Sequence, residues 1–275
     1  MKVLGLPHLL LGVLIGISIP FFLHESQILH HAYHRIAQLV EKWKQIPLNP
    51  SVLQVAQPGY TIHLFSLDPL VIYVEGFVNG DEAQHLISLA DENFQPSEIW
   101  SNNGTVGTIA PHIRDSQWAS PTRDAVVRRV EKRAAEFQGY GRAGFLEPLK
   151  VLKYELGGHY NHHYDTFPHR EARISMEGNR FSTFFVYLQA NCTGGGTNFP
   201  RLSPPKDDRW CQFIDCDEPY EAGVTFRPIP GNAIYWHNLR SSDRSPHPDL
   251  LHSGLPVTSG VKVGLNIWTW TPEDW

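Results

Sequence analysis

The chain has 275 residues and a formal net charge of -5, long enough for one large domain with a sizeable core or for two small ones. Hydrophobic residues at 41% and charged residues at 19% exclude a disordered chain. There is no basic surplus and no arginine-rich run, so nothing points to nucleic acid as a partner.

Leu9 to Leu23 reads LLLGVLIGISIPFFL, an apolar run without charge. Stretched back to Leu6, it falls between the about 7–15 apolar residues of a signal peptide and the roughly 20 of a membrane helix. His24-Glu25-Ser26 follows and offers no good cleavage site. The expectation is an apolar helix over 1–24 acting as a signal anchor, with a cleaved signal peptide as the alternative and a buried soluble helix as the bland reading. Lys2 and the N-terminal amine are the only positive groups before the run, which favours a cytosolic N terminus. The body of the chain would then lie in the lumen of the endoplasmic reticulum, attached to its membrane, or be secreted if the segment is cleaved. Asn103-Gly104-Thr105 and Asn191-Cys192-Thr193 are glycosylation sequons that fit this compartment. So does a disulfide between Cys211 and Cys216, close together in WCQFIDC, with Cys192 left over. No CxxC pair supports zinc.

Ile28 to Lys44 has partly amphipathic helical spacing, and the Pro-rich stretch Ile46 to Pro58 reads as a linker. Residues 25–68 are accordingly expected to form a stalk, with the main domain over 69–275. In that domain Val71 to Tyr73 and Phe77 are strand-like. A helix follows, capped by Asn79 with Glu82 three residues on, and Ala83, Leu86, Ile87 and Ala90 form its apolar face. A second helix is expected from Ser120, with Pro121 in its first position and an apolar stripe of Val126, Val127, Val130, Ala134 and Phe137. Beyond Gly139 the pattern changes to strands, at Val151–Leu156, His162–Asp165, Phe181–Gln189, Val224–Pro228, Asn232–His237 and Val261–Trp270. Glycine and proline clusters separate them, the signature of a mainly β sandwich or jelly roll with flanking helices.

Alternation on a strand puts His163 and Asp165 on one face and turns His162 to the other. An imidazole and a carboxylate at one point are two thirds of the two-histidine, one-carboxylate set that binds non-haem iron(II). On the last strand Val261, Val263, Leu265 and Ile267 alternate with Lys262, Gly264, Asn266 and Trp268. If the second set faces inward, Lys262 requires an anionic partner, because an unpaired buried ammonium is costly. A dicarboxylate cosubstrate would supply one; a solvated face is the plainer reading. Thr183, Phe185 and Tyr187 share a face of their strand, and the hydroxyls of Thr183 and Tyr187 are candidate donors beside Lys262.

Several runs together carry a resemblance. YELGGHYNHHYDT (Tyr154 to Thr166), GGGTNFP (Gly194 to Pro200), GNAIYWHNL (Gly231 to Leu239), LLHSGLPVTSGVKVGLNIW (Leu250 to Trp268) and the opening PLVIYVEGFVNGDEAQHLISLA all lie in order between Pro69 and Trp275. The domain resembles the prolyl 4-hydroxylase family of Fe(II)- and 2-oxoglutarate-dependent dioxygenases. The resemblance implies a double-stranded β-helix, with Fe(II), 2-oxoglutarate, O2 and L-ascorbate as cofactors and a proline-containing peptide as substrate. It makes His252 the second iron histidine, ahead of His237 and His247. It gives Lys262, ten residues after His252, the distal carboxylate of 2-oxoglutarate, places Tyr187 near that carboxylate and has Tyr154 line the pocket. Two departures are Ser203 to Gly223, which is longer than in simpler members, and Ile113 to Pro121, where Arg114 and Ser116 fit a substrate loop loosely. The rival readings are a 2-oxoglutarate oxygenase of a small metabolite or another residue, and a catalytically silent jelly-roll binding protein.

Overall fold

The computed structural model describes residues 56–57, 59–100, 106–139, 145–167 and 178–270. The apolar run at 9–23, the stalk helix at 28–44 and the sequon at Asn103 lie outside the described residues. No helix among the described residues is long and apolar enough to cross a membrane.

The helix Gly80–Ala90 begins as its sequence predicts. The Asn79 side chain accepts from the Glu82 amide at 2.8 Å, and the Glu82 carboxylate accepts from the Asn79 amide at 3.3 Å, so two otherwise unpaired donors are satisfied reciprocally. Ala83, Leu86, Ile87 and Ala90 are buried. The second helix spans Ala125–Phe137 and does not start at Ser120. Asp124 is its cap, accepting from the amides of Val126 and Val127 at 2.9 Å each. A carboxylate that satisfies two orphan amides defines the start more strongly than Pro121, which merely lacks a donor of its own. The two helices are tied by Arg133, whose guanidinium donates to both carboxylate oxygens of the buried Glu82 at 2.8 Å and to Phe77 O at 2.7 Å.

The strands, in chain order, are β1 (Ala56–Gln57), β2 (Tyr60–Leu67), β3 (Leu70–Glu75), β4 (Gln95–Pro96), β5 (Ile99–Trp100), β6 (Val106–Thr108), β7 (Arg114–Asp115), β8 (Gln117–Ala119), β9 (Lys150–Tyr154), β10 (His159–His163), β11 (Arg180–Gly194), β12 (Thr197–Phe199), β13 (Val224–Phe226), β14 (Ala233–His237), β15 (His252–Gly254) and β16 (Val257–Trp270). A nine-stranded sheet runs β1-β2-β3-β14-β11-β16-β9-β8-β4, and a five-stranded sheet runs β13-β12-β15-β10-β7. The pairings between these strands are antiparallel. The domain is thus mainly β and jelly-roll-like, and β2, within the 25–68 segment, is a strand of its large sheet.

Each face of the large sheet is covered. Val186, Leu188, Val263, Leu265 and Ile267 pack with the two helices on one side. Leu152, Phe185, Tyr187, Phe199, Val224 and Phe226 join the large sheet to the small one on the other. This explains the alternation in β16: its second face is an interior and not a solvated surface, with Lys262, Asn266 and Trp268 all buried. Cys211 and Cys216 form a disulfide, and Cys192 is free. The insertion that carries the disulfide is anchored by Phe213 against Tyr73, with ring centroids 4.4 Å apart, and by Trp210 against Phe65 at 4.9 Å.

Candidate active site

β10 and β15 pair so that His163 lies directly opposite His252. β10 ends at His163, so Asp165 lies two residues past the strand and not on it. It is brought back to the histidines by Thr183 on β11, whose hydroxyl donates to Asp165 Oδ2 at 2.7 Å. The ligand atoms of His163, Asp165 and His252 lie within 4.8 Å of one another, and each Nε2 is 3.7 Å from an Asp165 oxygen.

The arrangement has the chemistry of a metal site. The Nδ1 of His163 is 2.8 Å from Asn161 O, and that of His252 is 2.9 Å from Leu250 O. A ring nitrogen beside a carbonyl acts as donor, which fixes the tautomer and leaves each Nε2 as a lone-pair ligand. Burial, then the neighbouring His252, holds the His163 imidazole well below its ordinary pKa, so it is neutral as a ligand must be. Burial opposes ionisation of Asp165. Its neighbours, among them the Arg180 guanidinium and the donating Thr183 hydroxyl, nonetheless hold the carboxyl below its usual range. Two imidazole nitrogens and one carboxylate on one side of a common point fit iron(II) with positions left open opposite. Tyr160 stacks on His163 with centroids 3.5 Å apart, and Trp236 packs edge-on to His252 at 4.9 Å, so neither ring is free to turn.

Thr183 differs from the expectation drawn from strand alternation. Its hydroxyl is committed to Asp165 and accepts from Asn238 Nδ2 at 2.9 Å, so it positions the carboxylate and offers no donor to the cavity. Thr183→Val keeps the shape and removes that bond. Loss of an outer partner costs about 10–100-fold in metal affinity, and iron(II) titration of the variant should show a weakening in that range. An unchanged affinity would mean that the backbone alone sets Asp165.

The triad opens on a cavity of about 670 Å³ lined also by Tyr154, Thr197 and Gly254. Lys262 sits behind this wall, fully buried. Its Nζ donates to Gly195 O at 2.6 Å and lies 4.4 Å from the centroid of the Tyr154 ring. Among the described residues no carboxylate forms an ion pair with it. Burial depresses its pKa to about 8. A Cβ on Gly254, a residue of the cavity wall, would stand 3.7 Å from Lys262 Nζ, so the wall lies directly beside the ammonium. The Tyr187 hydroxyl donates to Thr197 Oγ1 at 2.8 Å, joining the buried phenol to a residue of the cavity wall.

Other residues at the cavity were not expected from the sequence. Arg180 makes a fork with Glu147 at 2.7 and 2.9 Å and lies 3.6 Å over the Trp268 ring. Its partner is 33 residues away in sequence, a separation at which no short-range pattern operates.

The description "2OG-Fe(II) oxygenase superfamily" belongs to the family model that matches residues 149–270. Prolyl 4-hydroxylase 2 of Arabidopsis thaliana is 34% identical over 212 residues, 74% of this chain and 68% of that protein. Probable prolyl 4-hydroxylase 4 of the same plant is 30% identical with 74% and 68% covered. The crystal structure of a viral collagen prolyl hydroxylase from Paramecium Bursaria Chlorella virus-1, in its 2OG complex, superposes with a TM-score of 0.51 at 23% identity. It covers 74% of this chain and 96% of the viral one, a likeness of fold.

Proposed function

The chain belongs to the prolyl 4-hydroxylase-like family of 2OG-Fe(II) oxygenases, and on that premise we propose that it hydroxylates proline in a peptide substrate. The observation that carries the reading is the His163, Asp165, His252 cluster facing one cavity, with a buried Lys262 that has no carboxylate partner among the described residues behind the cavity wall. When bound, iron(II), 2-oxoglutarate and O2 supply oxidative decarboxylation to succinate and CO2 coupled to hydroxylation of a substrate C–H bond. The chain's own residues bind and orient. His163, Asp165 and His252 hold the metal on one side. Lys262 attracts the distal carboxylate of the cosubstrate through a charge-assisted bond, with Tyr154 beside it. Thr183 fixes Asp165.

The two covered faces of the large sheet support reading the domain as a double-stranded β-helix. The disulfide Cys211–Cys216 supports a secretory location, with the apolar run at 9–23 as a membrane anchor and the domain lumenal. Protease protection in microsomes tests this; digestion of the domain from the cytosolic side would reject it.

The function is tested by supplying purified protein with iron(II) and 2-oxoglutarate, with and without L-ascorbate, and a panel of proline-rich peptides. Succinate should rise with peptide, and one oxygen atom should appear on a proline by mass spectrometry. Succinate production stimulated by a small metabolite and by none of the peptides would assign the site a different substrate.

A further inference from the structure

The face of β9 that lines the cavity carries Lys150, Leu152 and Tyr154 at alternate positions. Tyr154 lies against Lys262. Lys150 is about 13 Å further along at four residues' rise, opposite Asn266 in the register with β16. The same sheet face therefore presents a lysine at each end.

Lys150 is only partly exposed, and it is held between two indoles. Its Nζ lies 4.7 Å from the Trp118 centroid and 5.5 Å from that of Trp268. Burial, then the Arg180 charge, pushes its pKa down. The nearby acids do not compensate. Glu147 gives both oxygens to Arg180, and Glu98 makes no ion pair with Lys150 among the described residues. The second cation at this end, Arg114, is held by Ser116 Oγ and the Glu98 backbone carbonyl and makes no ion pair with a carboxylate among the described residues. The indole nitrogen of Trp268 is also buried, without an acceptor among the described residues. An ammonium caged by aromatic rings keeps its charge while most of its water is excluded, so it gains more from a carboxylate than an exposed lysine does.

We propose that Lys150, caged by Trp118 and Trp268, is a specificity-determining residue that receives a carboxylate of the substrate peptide, so that the enzyme prefers proline in an acidic sequence. This rests on the peptide reading above. The carboxylate is an Asp or Glu side chain or a free C terminus.

The test uses the full-length protein loaded with iron(II) and 2-oxoglutarate without oxygen. Binding of labelled proline peptides is followed by fluorescence anisotropy. Glutamate is moved along the peptide, each version is matched by its glutamine counterpart, and every peptide is made as free acid and as amide. At one offset the glutamate peptide should bind roughly tenfold tighter than the glutamine peptide, the worth of one charge-assisted bond. If instead only the free-acid forms gain, the C terminus is the source. Lys150→Met should erase the preference, Lys150→Arg should keep it, and Lys150→Glu should transfer it to lysine peptides. Equal binding of glutamate and glutamine peptides together with equal binding of the free-acid and amide forms, or a preference that survives Lys150→Met, overturns the proposal. Admitting oxygen separates the two readings. Acid-dependent binding lost in Lys150→Met with no hydroxyproline formed would leave this proposal standing and defeat proline hydroxylation. Hydroxyproline formed with no acid preference would do the reverse.

Discussion

Alanine at His163, Asp165 or His252 is expected to abolish succinate production from 2-oxoglutarate, while alanine at the adjacent His162 leaves most of it. The three residues share one point in space, with each imidazole Nε2 3.7 Å from an Asp165 oxygen. Removing any donor leaves two, too few to hold iron(II) while keeping positions for cosubstrate and oxygen. The loss should therefore exceed the roughly 10–100-fold that an outer partner costs. His162 is exposed, and its only hydrogen-bonding neighbour among the described residues is Asn198 Oδ1 at a long 3.3 Å. It reaches the wall of the same cavity, but it is not among the three residues whose ligand atoms cluster. Anaerobic iron(II) titration beside the turnover assay separates lost metal from lost fold. An inactive His162→Ala with an active His163→Ala would place the register one residue off, and activity in both would remove the metal from this cluster.

The site was legible to the extent that its parts obey local rules. Lys262 follows strand alternation and the Asn79 cap follows from a four-residue pattern, whereas at His163 the strand is irregular and Tyr160, three residues back, stacks on its ring. Asp165 was reached by the same alternation although the strand stops before it; a hydroxyl from β11, 18 residues away, supplies what the strand does not. That bond also explains why Thr183 was misread: alternation gives the face of a side chain but not which buried acceptor it finds there. Asp124 displaced Ser120 as a cap because its carboxylate satisfies two amides at once, a competition that spacing alone does not rank. Arg180 with Glu147, and the indole cage around Lys150, depend on contacts between strands that only the folded register brings together.

Lys262→Ala is expected to raise the 2-oxoglutarate requirement by about tenfold to a hundredfold, the equivalent of losing a hydrogen bond to a charged group worth about 1.5–3 kcal/mol. The ammonium is fully buried, and its described partners are the Gly195 carbonyl and the face of the Tyr154 ring. Neither neutralises its charge, so a carboxylate brought beside it gains more than it would from an exposed lysine. A pH dependence follows with a definite sign. In the free protein burial depresses the Lys262 pKa to about 8. The dicarboxylate binds the protonated form, so its affinity should be level below that pH and fall about tenfold per unit above it, as the proton needed for binding is lost. His163 does not imitate this fall, because burial holds its pKa well below 6.5, on the acid side of the window. Lys262→Arg keeps its charge throughout the range, so whatever affinity it retains should not fall above about pH 8. The measurement is a set of 2-oxoglutarate titrations without oxygen across that range on the three proteins. Affinity that stays level above pH 8 in the wild type, or an unchanged requirement in Lys262→Ala, would make Lys262 a structural lysine held by Gly195 and Tyr154 and would move the cosubstrate elsewhere in the cavity.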